Sequence, residues 1–366
     1  MIGALSRLLD PLRGAGRHAI TVPPMDGALQ PNERLEEAPL VCSLASPDAL
    51  TLSGPTALAA SNSKLFAFEL DAGAPREVGA FAADIVCAAL SQKGELAVGL
   101  SDGRVTFRRV DAGAIAPSPL SDLAQFSCPT ALAWADDGAL FVCEGSQTNP
   151  ASEWKRDLTE RGSSGSVWRV NPGGEAQRLA GDLAYPNGVL ALPDGSAIVS
   201  ESWRSRLIRI SADGATDVVV DDLPGYPAGL ARRSAGGAWL ALFAPRSQLF
   251  EFILRERSLR EQMMREIDPD CWMAPALRPA RSFLEPLQGG ALKQLGVMKP
   301  WAPSRSYGLV LALDAQMRPE ASAHSRANGL RHGVRSLVES DGRLIVASKG
   351  GDAVVSLALD ARGGFA

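Results

Sequence analysis

The chain has 366 residues, 46% hydrophobic and 21% charged, an ordinary globular composition with enough apolar side chains for a sizeable core. A formal net charge of -4 and a pI near 5.6 speak against nucleic acid as a partner, because a phosphate binder presents a basic face. Five cysteines (Cys42, Cys87, Cys128, Cys143, Cys271), odd in number and without C-x-x-C spacing, argue against a disulfide scaffold or a zinc site and for free thiols.

Taken in chain order, residues 1–24 come first as an amphipathic segment, "MIGALSRLLDPLRGAGR". Ile2, Leu5, Leu8, Leu9 and Leu12 share a helical face, but Arg7, Asp10 and Arg13 interrupt any run long enough for a signal peptide. No later stretch reaches transmembrane length without charges, so the expected location is the cytoplasm. Oligomeric state is not legible.

One pattern then recurs: a Pro/Gly lead-in, a small-apolar strand, a Gly turn and a second strand. It occurs as "GPTALAASNSKLFAF" from Gly54, "VCAALSQKGELAVGLSDGRVTF" from Val86 and "CPTALAWADDGALFV" from Cys128. It returns as "YPNGVLALPDGSAIVS" from Tyr185, "YPAGLARRSAGGAWLALF" from Tyr226 and "HGVRSLVESDGRLIVAS" from His332. Third strands follow several copies, among them "RLIRI" and "QLFEF". Repeats of roughly 40–50 residues made of β-meanders are the mark of a propeller, in which each blade buries its faces on its neighbours. The fold class is therefore all-β, a six-bladed β-propeller spanning 25–362. Its inner strands should start near Thr56, Val86, Thr130, Asn187, Ala228 and His332. Residues 30–52 should supply the outer strand that closes the ring.

Two interruptions break the spacing. One is the polar stretch 144–166, where Glu144, Asn149 and Trp154 either line a pocket rim or decorate a loop. The other is 252–306, with Leu259, Met263 and Ile267 at helical spacing and Trp272, Met273, Phe283, Trp301 and Tyr307 adding apolar weight. A long insertion of that kind is expected to be a partly helical lid across one end of the ring.

In "YPNGVLALPDGSAIVSESWRSRLIRI", Asn187 and Glu201 are equidistant from the hairpin tip at Asp194 and should meet at the channel mouth. Such a pair either binds a cation or polar substrate, or is a capped turn with no other role. Arg204, Arg206 and Arg209 read as a solvated face.

The run "GSVWRVNPGGEAQRLAGDLAYPNGVLALPDGSAIVSESWRSRLIRI" resembles the strictosidine synthase-like family, with support from "GALQPNERLEEA", "DDLPGYPAGLARRSAGGAWLAL" and "SDGRLIVAS". The resemblance implies a six-bladed propeller related to plant Pictet–Spengler synthases and to lactonase and arylesterase propellers such as gluconolactonase and paraoxonase. It implies that calcium-dependent relatives hold the ion with a Glu of the first blade and Asn and Asp side chains of later ones. Here those places read as Thr56, Thr130, Asn187 and Ala228-Gly229, so no cofactor is expected, a weakly bound divalent cation stays open, and Asn187 is a weak metal candidate. The resemblance also puts Arg335 near the acid of the synthases. Since Arg is not a base, strictosidine formation is not expected. No G-x-S-x-G elbow, Walker loop or G-x-G-x-x-G is present.

Two readings remain. The first is a hydrolase of a small ester or lactone, with His332, Glu201 and Arg335 catalytic and Asn187, Thr56, Thr130, Trp154, Tyr226 and Trp301 binding substrate. The second is a non-catalytic propeller that binds a small molecule or a protein.

Overall fold

Short apolar runs separated by Asp-Gly turns leave the chain little choice but meanders. Asp137 accepts a hydrogen bond from the amide of Ala139 and Asp194 from that of Ser196, closing two of these turns. The outcome, seen in a computed structural model that describes residues 22–71, 73–111, 113–279 and 304–366 and the backbone of the short pair Lys293–Gln294 and Val297–Met298, is six four-stranded antiparallel sheets. They form the six-bladed propeller expected from the repeats, all-β with a small helical insertion.

Each blade cannot bury both faces alone, and six separate apolar clusters fill the six blade–blade interfaces. Between blades three and four, for instance, Ala131, Phe141, Cys143 and Val167 pack on Val189, Val199 and Ile208. The ring closes in blade six, where Leu40–Ser43 pairs with Ala353–Ala358 as the outermost strand. The expected closing segment is thus in place. All five cysteines are free.

The inner strands are Pro47–Ser53, Ile85–Leu90, Pro129–Trp134, Pro186–Ala191, Gly225–Arg232 and Val334–Ser340. Five match the expected starts. The first does not: Thr56 opens the second strand of blade one, Thr56–Ser61, and its hydroxyl donates to Glu69 Oε1 at 2.8 Å on the exposed side. The Gly54-Pro55 turn joins the first strand of blade one to the second and does not lead into an inner strand.

Blade five corrects a second expectation. "QLFEF" is no strand; it opens the helix Gln248–Arg255, where Ser247 Oγ accepts from the amide of Phe250 and Phe250, Ile253 and Leu254 share the buried face. The true third and fourth strands are Gly308–Leu313 and Pro319–Ser325, so the insertion lies inside blade five, between its second and third strands. A second helix, Arg257–Glu266, buries Met263 but leaves Leu259 and Ile267 exposed, so the expected stripe contributes one anchor. Phe283 and Trp301 lie outside the described residues, as do residues 1–21.

The described part of the insertion, up to residue 279, contacts the ring at the end where the inner strands begin. Lys155 Nζ, from the helix Trp154–Glu160 of the blade-three insertion, donates to Pro269 O at 3.0 Å. Arg278 reaches Asp352 at 2.8 Å and Ser46 Oγ at 2.6 Å, at the entrance to blade one. Trp272, 1% exposed, belongs to the same apolar cluster as Tyr226, Phe243, Phe250 and Met263, with its indole N–H donated to Ile267 O.

Candidate functional site

All six inner strands carry a β-bulge at the same height. The register slips between Asp48 and Thr51, Ile85 and Cys87, Pro129 and Ala131, Pro186 and Gly188, Pro227 and Leu230, and Val334 and Ser336. A bulge leaves one residue unpaired and re-aims its side chain. The residues so released include Val86, Thr130, Asn187, Gly229 and Arg335, which with Asp48 line one cavity of about 90 Å³ in the channel. Close approach of the strands makes this possible: a Cβ on Gly188 would come within 2.0 Å of Ala228 O, and one on Gly229 within 2.5 Å of Arg335 O. Cross-blade hydrogen bonds lock the arrangement. Thr130 Oγ1 donates to Pro186 O at 2.5 Å, Ser200 Oγ to Ala228 O at 2.8 Å, and the Leu50 amide to Ser336 Oγ at 2.9 Å.

Among the described residues, Asp48 and Arg335 are the charged side chains of the lining, and Lys349 stands beside them. Asp48, 4% exposed, accepts from the Ala49 amide through Oδ1 at 2.9 Å and from Lys349 Nζ through Oδ2 at 2.9 Å. Arg335 Nε stands 3.7 Å from the same Oδ2, with its guanidinium 5.9 Å above the ring of Phe243. Burial alone would raise the Asp48 pKa, but the attraction of Lys349 and Arg335 wins and holds it below the usual carboxylate value. Cys87, on the next inner strand, is pushed well up by burial, so its thiol stays protonated.

Asn187 is the unusual member. It is 3% exposed, and among the described residues neither Nδ2 nor Oδ1 has a hydrogen-bond partner. Arg335 Nε also lacks one. Buried polar atoms are nearly always paired, so atoms without a hydrogen bond on two residues that line one cavity mark a place where water or a ligand completes the set.

The other candidates fall elsewhere. Glu201 pairs in register with Pro186, next to Asn187, but its carboxylate is wholly buried and taken up by the Ala184 amide, Arg204 and Arg206. Glu144 holds the same position in blade three, accepting from the Ser127 amide and Ser166 Oγ. Both clamp the entry to their inner strand, and neither lines the channel cavity. Two of the three arginines read as solvated thus serve Glu201, while Arg209 pairs with Asp194. His332 is 0% exposed with both nitrogens engaged: Nε2 donates to Arg326 O at 2.7 Å, which leaves Nδ1 to accept from Ser306 Oγ at 2.8 Å. Burial lowers its pKa.

Trp154 and Tyr226 belong to an aromatic cap beneath the insertion. Tyr185 stacks on Trp203 at 4.3 Å, and Trp154 and Tyr226 meet Phe243 at 5.4 and 5.9 Å. Tyr226 Oη donates to Glu251 Oε1 at 3.3 Å. A cleft of about 770 Å³ above, lined by Trp154, Lys155, Arg156, Trp272, Arg278 and Arg305 among others, separates the two insertions. Asn149 is tied to Asp157 and Glu160 and serves that helix.

Asp48 and Lys349 were not among the sequence candidates. The alternation "ALTLS" ahead of a Gly-Pro turn is the signal that identifies Pro47–Ser53 as an inner strand and its Asp as channel-facing. Among the described residues no group of three or more His, Cys, Asp or Glu side chains is placed to hold a metal ion, and no helix is long and apolar enough to cross a membrane.

No family model matches the chain. It is 30% identical over 110 residues to the adipocyte plasma membrane-associated protein of Danio rerio, covering 27% of this chain and 26% of that one. It is 26% identical over 144 residues to strictosidine synthase-like 6 of Arabidopsis thaliana, covering 38% and 39%. These matches span between a quarter and two fifths of the length of the curated relatives. Among solved structures, regucalcin from Agrobacterium tumefaciens, described as calcium-binding, superposes with a TM-score of 0.54 at 14% identity, covering 92% and 96% of the two chains. A gluconolactonase from Xanthomonas campestris gives 0.53 at 15%, covering 89% of each. The chain is a homologue of strictosidine synthase-like 6 and adipocyte plasma membrane-associated protein, folded as the same kind of six-bladed propeller as regucalcin and the gluconolactonases.

Proposed function

We propose that the channel hydrolyses a small ester or lactone without a metal ion. The observation that carries this reading is the partnerless Asn187 amide in a cavity that all six blades line, beside the Lys349–Asp48–Arg335 cluster. Relatives in fold include gluconolactonases, which lends the reaction class support. In this mechanism Asp48, kept deprotonated by its two cations, orients a water and takes its proton as the water oxygen attacks the acyl carbon. Arg335 and the Asn187 amide N–H donate to the developing oxyanion. The acyl C–O bond then breaks, the leaving oxygen takes the proton back from Asp48, and the hydroxy acid formed releases a proton to solvent at neutral pH.

Regucalcin is described as calcium-binding, but the donors here do not suit that ion. Calcium takes six to eight oxygens, whereas this ring offers one carboxylate already clamped by two cationic side chains. The free thiols suit a reducing compartment and favour the cytoplasm.

The test is proton release in a pH-stat over a panel of γ- and δ-lactones and short esters. Asp48→Asn should cut the rate by about 10²–10⁴, the range for loss of a general base. Unchanged turnover in that variant would remove Asp48 from the mechanism. Binding without turnover would favour the ligand-binding reading, which the structural duties of His332 and Glu201 already support.

A further inference from the structure

We infer that the channel cavity is a seat for a small carboxylate, its positive charge supplied by Lys349 and Arg335 in the place where a divalent cation would need to sit. This rests on the channel being the functional site, though not on turnover there.

Charge counting comes first. Lys349 and Arg335 bring two positive charges against the one of Asp48, leaving one in excess beside a cavity walled by Val86, Ala88, Leu132, Val189 and Leu230. Both Asp48 oxygens are occupied, Oδ1 by the Ala49 amide and Oδ2 by Lys349. The carboxylate is thus partly engaged by the Ala49 amide and Lys349, and the lone pairs it keeps fall far short of the six to eight oxygens a calcium ion takes. A dication would also meet two like charges within a few ångströms, a repulsion that a low-dielectric site strengthens.

Hydrogen-bond counting agrees. Among the described residues, the buried atoms of the cavity lining without a hydrogen bond are donors at Arg335 Nε and Asn187 Nδ2 and an acceptor at Asn187 Oδ1. The complementary ligand offers two acceptor oxygens and one donor, which a hydroxy carboxylate does and a metal ion does not. At about 90 Å³, roughly three times the ~30 Å³ share of one water, the cavity takes a ligand of a few heavy atoms or the head of a larger one.

Glycolate is the probe, with glycolamide as its neutral isostere and calcium chloride as the cation, each titrated calorimetrically and by thermal shift at ionic strength fixed with sodium chloride. Glycolate should bind and raise Tm, glycolamide should bind about tenfold more weakly or worse, and calcium should do neither. Lys349→Met should weaken glycolate about tenfold, whereas Asp48→Asn, which removes the opposing charge, should tighten it by a similar factor. The second variant gives the opposite sign from any structural damage, so the idea stays testable if the first folds poorly. Equal binding of glycolate and glycolamide, binding of neither, weaker glycolate binding in Asp48→Asn, or stabilisation of the wild type by calcium would each overturn the inference. Lactone turnover without glycolate binding defeats the anion seat alone. Glycolate binding without turnover of any lactone defeats the hydrolase alone.

Discussion

Replacing Asn187 with Ala separates a working residue from a structural one. Its two polar side-chain atoms are buried with no hydrogen-bond partner among the described residues, and such atoms cost about 1–3 kcal/mol each when nothing satisfies them. Water in the adjoining cavity recovers part of that cost, so the relief on removing the amide is at most a fraction of the full sum. Against it stands the enlarged void: deleting a carboxamide of roughly 40 Å³ at about 24 cal/mol per Å³ costs about 1 kcal/mol. The two effects nearly cancel. Asn187→Ala should therefore change unfolding free energy in urea by less than about 1 kcal/mol, while ligand binding and turnover fall to background. A buried Asn that served the fold would leave its own partners orphaned, and its loss would cost several times more. A drop above about 2 kcal/mol with binding intact would refute the assignment of Asn187 to the site.

Other expectations follow from the same geometry. Stability should fall as pH drops from about 6.5 towards 4, because burial holds His324 down to about 4 and lowers His332 as well, so the fold takes up these protons later than the unfolded chain, whose His pKa is about 6.5. Urea titrations at stepped pH check this, and His324→Gln should flatten the slope; a stability that rises in that window contradicts it. Glu201→Gln should destabilise by about 2–3 kcal/mol, since it weakens a buried clamp on two partly exposed arginines, yet leave binding per folded molecule unchanged; lost binding at full stability would return Glu201 to the site. Trp272→Ala removes a fully buried indole, a change worth about 3–5 kcal/mol in a core, and should make residues 246–307 protease-sensitive before the ring melts; unaltered digestion would show that the insertion is not held by this anchor. Chelator should leave Tm unchanged, and a drop that calcium restores would revive a metal-dependent mechanism.

The blades were legible because each is a local event: turn residues and short apolar runs are contiguous in sequence. The first inner strand is hard to read because its entrance is built by backbone, with Ser46 and Ala49 both at positive φ, a conformation that neither residue type advertises. With that strand went Asp48, and with Asp48 the reason for Lys349. Asn187 was legible from its odd place ahead of a strand. His332 and Glu201 had the right types at the right end, but what decides their role lies far away or out of register: His332 faces Ser306 and Arg326 of blade five, and Glu201 turns to Arg204 and Arg206. The helix at "QLFEF" shows the ambiguity of short apolar runs, settled here by the Ser247 cap.

The closing strand has a consequence in time. Leu40–Ser43 leaves the ribosome before any other strand of the ring, and its partner Ala353–Ala358 leaves last. At about 5–20 residues per second, the two are separated by tens of seconds of synthesis. Throughout that interval blades one to five can stack in order, but blade six has no template on its outer side. The nascent chain thus carries an unpaired edge that another chain could capture, and release of the C-terminal hairpin becomes the event that seals it. Slowing translation over the last blade should lengthen that window and raise the soluble-to-aggregated loss, whereas a circular permutant that opens the ring at the exposed Asp71 turn would make the closing strand and its partner neighbours in synthesis and shorten it.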